Sequence, residues 1–156
     1  MENIFLASDH AGLKLKGSVK AFLKSRGHSF EDLGSYELNK EDDYPDYVIP
    51  CARKVAKTKN SKGIVFGFSG QGEAMAANKI RGIRASVYYG GKKGKKSNEI
   101  IKLSREHNDS NILSLGAGFV SEKEAINAVR LWLDTKFSKA ERHERRNKKV
   151  NSLGGK

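Results

Sequence analysis

Apolar and polar positions along the chain follow two rhythms that replace one another in turn. The run NIFLAS (3 to 8) has strand character, and HAGLKLKGSVKAFLKSRG behind it places Leu13, Leu15, Val19, Phe22 and Leu23 near helical spacing until Gly27 offers a stop. That is one strand–helix unit. HSFEDLG (28 to 34) reads as a second strand, and DYPDYVIPCARKVAKTK as a loop leading into a second helix. GIVFGF is a third strand opening on a glycine loop, with the helix-forming run EAMAANK behind it. IRASVYY and NILSLG are the fourth and fifth strands, and SNEIIKLSREH and SEKEAINAVRLWLDTKF supply the helices that complete the alternation. Five such repeats predict an α/β chain: a doubly wound sheet of five parallel strands flanked by helices, with a charged helical tail after Phe137.

A length of 156 residues fits one domain, assigned to 1–150, with 151–156 expected to be a disordered tail. The single cysteine, Cys51, has no partner for a disulfide, a CxxC pair or a thiolate zinc site, so a reducing cytoplasm is the expected setting. No run of about 18 apolar residues is present and MENIFLASDH lacks a basic leader, so no membrane association is expected. The net charge of +12 raises the question of nucleic acid, and its location qualifies it. Residues 90–105 carry six Lys and Arg against one Glu, and residues 137–156 carry seven against two, so two segments supply ten of the twelve charges. Such patches suit a polyanion, a phosphorylated small ligand, or solvent alone. Only Phe137 offers an aromatic ring within them, which disfavours base stacking and nucleic acid.

In doubly wound sheets ligands bind at the carboxyl ends of the strands. Ser8–His10, Gly67–Glu73, Tyr88–Lys96 and Gly116–Gly118 all fall at that edge. GFSGQGE (67 to 73) is not a dinucleotide fingerprint, because its glycine order is wrong and it follows the third strand; nor is it a phosphate-binding P-loop, because Lys79 lies too far on. What remains is a set of backbone N–H groups at Ser69, Gly70, Gln71 and Gly72, suited to a developing oxyanion with the Ser69 hydroxyl beside it. Glu73 then reads as a base, or as a first-turn carboxylate that the helix dipole favours. Asp9 and His10 read as ligand contacts, or as a cap and a first-turn residue. His107 ends a helix, where a dipole partner is the plainer reading. Arg142 and Arg146 share one helical face, with His143 and Arg145 beside them, and suit phosphate or simple solvation. The four histidines show neither HxxxH nor HxH spacing, so no metal and no cofactor is expected.

Taken in order, SDHAG (8 to 12), DYPDY (43 to 47), GFSGQGEAMAANKIRGIRA (67 to 85), REHNDSNILSLG (105 to 116) and RHERR (142 to 146) resemble the type B ribose-5-phosphate isomerases, whose superfamily also holds the galactose-6-phosphate isomerase subunits. The resemblance covers residues 3 to about 150. It implies a Rossmann-like domain that interconverts ribose 5-phosphate and ribulose 5-phosphate without a metal, as a homodimer or homotetramer whose sites use both subunits. Many members place a cysteine base where this chain has Gly67, so the resemblance is to the branch with a glutamate base, here Glu73. It further implies His107 as the ring-opening acid, Asp9 and His10 as substrate contacts with Phe68, Gly70, Gln71, Gly72 and Asn108, and Arg142 and Arg146 as phosphate ligands.

Two departures alter the expectation. Family members usually carry an arginine after the fifth strand, where GAGFV here has Gly118, and GGKKGKK (90 to 96) is an insertion. Lys92, Lys93, Lys95 and Lys96 are therefore expected to supply a phosphate contact. An isomerase of another phosphosugar, such as a hexose or allose phosphate, and a basic binding protein on the same scaffold are the rival readings.

Overall fold

Strand β1 (Asn3–Ser8) is buried from Ile4 to Ser8, the pattern of a parallel strand covered on both faces. The computed structural model describes residues 3–91 and 95–153, with side chains from Asn98 onward in the second stretch. In chain order β1 is followed by α1 (Leu13–Ser25), β2 (Phe30–Asp32), α2 (Tyr44–Lys57), β3 (Ser61–Gly67), α3 (Gln71–Ala77), β4 (Ala85–Tyr88), α4 (Lys95–Glu106), β5 (Ile112–Gly116), α5 (Glu122–Asp134) and α6 (Glu141–Ser152). The five strands form one sheet in the order β2-β1-β3-β5-β4, every pairing parallel. This is the doubly wound α/β architecture the alternation predicts.

Helices cover both faces. Val19 and Leu23 of α1, Ile101 of α4, and Val129 and Trp132 of α5 pack on one side, while Val48, Cys51, Ala52 and Val55 of α2 and Ala77 of α3 pack on the other. The capping box at Ser121 and Glu124 fixes the start of α5. β2 and β4 are shorter than their apolar runs because they are the two edges of the sheet, where one flank has no partner strand.

Two features position the site. The strand order turns outward in opposite directions from β1 and β3, so the loops after these strands face each other across a crevice at their carboxyl ends. Lys16, buried to 1% exposure, hydrogen-bonds Asp32 Oδ1 and the carbonyls of Gly34 and Ser35, and Ser8 exchanges backbone bonds with the same two residues. The segment leading to α2 is thereby fastened to the end of β1.

One boundary needs correction. Asn151 and Ser152, assigned to a disordered tail, are the last turn of α6, and Arg84 Nη1 donates to Asn151 Oδ1 at 3.3 Å, which ties that turn to the body. Among the described residues no helix is long and apolar enough to cross a membrane.

Candidate active site

Glu73 and Gly67 occupy one space. A Cβ at position 67 would stand 1.8 Å from Glu73 Oε1 and 2.1 Å from Cδ, so the carboxyl fills the place into which any other residue 67 would project. Gly70, at φ +77°, turns the chain from β3 into α3, and Ser114 Oγ donates to its carbonyl at 2.6 Å. That turn brings the first turn of α3 back over the end of β3. Glu73 is 4% exposed. Burial pushes its carboxyl above the ordinary carboxylate range; its own backbone N–H opposes this, and the nearby Asp9 charge adds to the rise.

Asp9 is buried, and its Oδ1 accepts from the N–H groups of Ala11 and Gly12 at 3.0 and 3.2 Å. It therefore organises the turn before α1, as a cap would, while its charge acts on Glu73. His10 Nδ1 donates to Asp42 Oδ1 at 2.5 Å, and its backbone N–H reaches the same oxygen. A carboxylate only accepts, so the ring proton sits on Nδ1 and Nε2 is left for another partner. The Asp42 hydrogen bond raises the His10 pKa, partial burial opposes it, and the charges of Asp9, Asp42 and Glu41 add to the rise. Asp42, 32 residues from His10, carries no signal of its own in the sequence; the acidic and aromatic run DYPDY beside it was the only pointer. Asp9, His10 and Asp42 bring one donor atom each within 4.8 Å of one another, a grouping that histidine spacing cannot reveal. His10 Nδ1 is bonded to Asp42, so a hydrogen bond organises that pair, while Asp9 serves the turn before α1.

Ser69 Oγ accepts from the Gln71 N–H at 3.2 Å, so one of the expected cradle donors is engaged inside the loop. The loop after β5 is stitched to the glycine loop through Ala117 N–H to Gly67 O and Gly118 N–H to Phe68 O, both 2.8 Å. Phe68 and Phe119 form an exposed edge-on pair, centroids 5.5 Å apart. A Cβ at Gly118 would stand 2.5 Å from the Phe68 ring, so Phe68 fills the space where an arginine at 118 would begin.

The remaining predicted residues lie elsewhere. Gly67 pairs with Gly116 at the carboxyl end of β5, whereas Gly63 pairs with Ile112 at its amino end. His107 and Asn108 precede Ile112, so roughly 13 Å of strand, four residue steps of about 3.3 Å, separates their edge from the Glu73 edge. Arg142 and Arg146, both exposed, lie on α6, whose buried residues His143 and Asn147 sit against His107. Within one chain, then, Asp9, His10, Phe68–Gly72 and Glu73 come together, and His107, Asn108, Arg142 and Arg146 form a second group at the opposite edge. Lys92 and Lys93, and the side chains of Lys95 and Lys96, lie outside what the structure describes. Cys51 is buried in α2 with its thiol pushed up to about 12, which leaves it unreactive.

A buried carboxyl with a raised pKa beside a glycine turn, at the crevice of a doubly wound sheet, is the equipment of an enzyme that moves protons on a small ligand. The sequence matches the ribose/galactose isomerase family over residues 4–150. Ribose-5-phosphate isomerase B of Mycolicibacterium paratuberculosis is 38% identical over 143 residues, which span 92% of this chain and 86% of that protein. The crystal structure of ribose-5-phosphate isomerase B from Mycoplasma genitalium with bound ribulose-5-phosphate aligns at a TM-score of 0.88 and 36% identity, covering 96% of this chain and 94% of that one. A ribose 5-phosphate isomerase from Thermotoga maritima aligns at 0.88 and 34% identity over 97% and 99% of the two chains. The chain belongs to the ribose/galactose isomerase family.

Proposed function

We propose that the protein interconverts ribose 5-phosphate and ribulose 5-phosphate, with Glu73 as the base, at a site completed by a second copy of the chain. The observation that carries this reading is the Glu73 carboxyl filling the position-67 space at the mouth of the glycine loop, buried and with a raised pKa. A raised pKa makes the Glu73 carboxylate a stronger base than an ordinary one. Glu73 takes the proton from C2 of the open-chain aldose and the electron pair moves to O1 to leave an enediolate; the hydroxyl proton passes from O2 to O1, and Glu73 returns its proton at C1 to give the ketose. No electron leaves the sugar, so the reaction needs no redox partner.

Backbone N–H groups around Gly70 and the Ser69 hydroxyl stabilise the enediolate oxygen, and removal of one such donor typically costs roughly 10² to 10³ in rate. His10 Nε2 and Asp9 address sugar hydroxyls, with Phe68 as a wall. His107 serves the cyclic substrate by proton transfer at the ring oxygen, Asn108 assists, and Arg142 and Arg146 hold the phosphate. The two groups lie at opposite ends of the sheet of one chain, which supports an assembly of at least two copies in which the His107 edge of one faces the Glu73 edge of the other. A cytoplasmic setting fits the single buried cysteine.

A second reading, isomerisation of a different phosphosugar, is favoured by the Phe68–Phe119 pair and by Gly118, which replace a charged contact with an aromatic wall. Turnover of a panel of pentose and hexose phosphates in the presence of chelator tests both. The first reading predicts the highest kcat/KM for ribose 5-phosphate, undiminished by chelator; preference for a hexose phosphate would replace it with the second.

A further inference from the structure

Helix α6, ERHERRNKKVNS, has one apolar side chain, the exposed Val150, and buries only His143 and Asn147, one helical turn apart. Polar groups are buried at a cost unless they find partners, so what these two touch defines what the helix is for. Both touch His107. The His143 and His107 rings stack with centroids 4.1 Å apart and planes tilted by 40°, and Asn147 Nδ2 donates to the His107 carbonyl at 3.2 Å. His143 is 4% exposed, and both of its ring nitrogens are engaged: Arg142 Nε lies 3.2 Å from Nε2, and Ser138 Oγ lies 2.9 Å from Nδ1.

The chemistry of these partners fixes the protonation of the ring. A guanidinium only donates, so Nε2 is the acceptor, the single ring proton sits on Nδ1, and it is donated to Ser138 Oγ. Burial first, then the charges of His107, Arg142 and Arg146, lower the His143 pKa, with a backbone contact at Glu106 opposing, in keeping with an uncharged ring. An uncharged ring can lie against another imidazole without repulsion, and its acceptor nitrogen fixes one edge of Arg142 while leaving the two terminal amino groups of that side chain for an anion.

We propose that His143 is a positioning residue that registers the proton-transferring His107 against the phosphate-binding Arg142, through ring stacking on one and an Nε2 acceptor on the other. The proposal rests on the roles given above to His107 and Arg142, and its two contacts separate by substitution. His143→Phe keeps a ring against His107 and loses the acceptor. His143→Gln keeps an acceptor near the Nε2 position and loses the ring. For the phosphorylated aldose, the Phe variant should raise KM at least several-fold with kcat within about twofold. The Gln variant should keep KM and lower kcat about tenfold in the direction that begins with cyclic aldose, with less effect from the open-chain ketose. A general packing role predicts instead that both variants change alike, in step with lost folded protein, and that result would overturn the proposal.

A structural readout keeps this separate from the catalytic reading. Nitrogen-detected NMR of the parent protein should show His143 with a bare Nε2 and a protonated Nδ1 across about pH 6 to 8, and the His107 ring signals should move in the Gln variant and hold in the Phe variant. A His143 that is charged over that range, or a His107 signal indifferent to both variants, contradicts positioning whatever the assays give. If the NMR results hold while His107→Asn leaves turnover intact, the catalytic assignment of His107 fails and the contact itself stands.

Discussion

The two ends of the sheet solve opposite problems. At the carboxyl ends of β1 and β3 a carboxylate is deprived of water and kept uncomfortable: Glu73 is buried beside a second acid, Asp9, with no cation against it among the described contacts, and its pKa rises. At the amino end of β5 the arginines Arg142 and Arg146 are exposed, and His107, only half-buried, is held by a hydrogen bond from Asn147 and ring contact with His143 of α6. One end buries an acid, and the other presents basic side chains.

The comparison is broken most severely by removing the base. Glu73→Gln should lower turnover by about 10² to 10⁴ with KM little changed, as measured by steady-state kinetics. The same variant reports the strain. The folded protein holds the Glu73 proton more tightly than the unfolded chain, so stability falls as pH rises from the ordinary carboxylate value through the raised one. Glu73→Gln removes that loss. Its Tm should exceed the parent's at about pH 8, and the difference should vanish below about pH 4; a Tm lower than the parent's at both pH values would contradict a strained carboxyl.

At the other end His107→Asn should cost roughly 10² in the aldose-to-ketose direction, the usual lower bound for a positioned proton-transfer group, and less from the ketose, which needs no ring opening. Equal losses in both directions would remove the ring-opening role. A smaller effect sharpens the boundary between the ends. Gly118→Arg alone should fail to improve KM, because its Cβ meets the Phe68 ring, whereas paired with Phe68→Gly it should lower KM by roughly tenfold or more, as the roughly 1.5–3 kcal/mol of a charge-assisted hydrogen bond implies. A gain from Gly118→Arg alone would show that Phe68 yields freely.

The five strands were legible because each apolar run is bounded by turn residues, and β1 is read residue for residue. The order that puts β5 inside β4 was not legible, since it depends on which helices fill which face. Asp42 was missed because a contact across 32 residues has no local period. The fit of Glu73 into the place of a residue-67 side chain depends on the turn at Gly70, which the sequence suggests only as a glycine. The separation of His107 from Glu73 was implied by the alternation itself: a residue ending a helix that precedes a strand must lie at that strand's amino edge. His143 looked like one more polar residue on a basic helix, and only its contacts give it a role.

The central claim is that one working site draws its base from one chain and its histidine from another. Glu73→Gln and His107→Asn, each nearly inactive alone, should be unfolded together, refolded as a mixture and assayed. Random reassortment of a two-fold assembly makes half of the pairs mixed, each with one intact site, so recovery of about one quarter of the parental turnover is predicted. Turnover no greater than the sum of the two variants, with exchange of subunits verified by mass, would place Glu73 and His107 in the same chain's site and contradict the account.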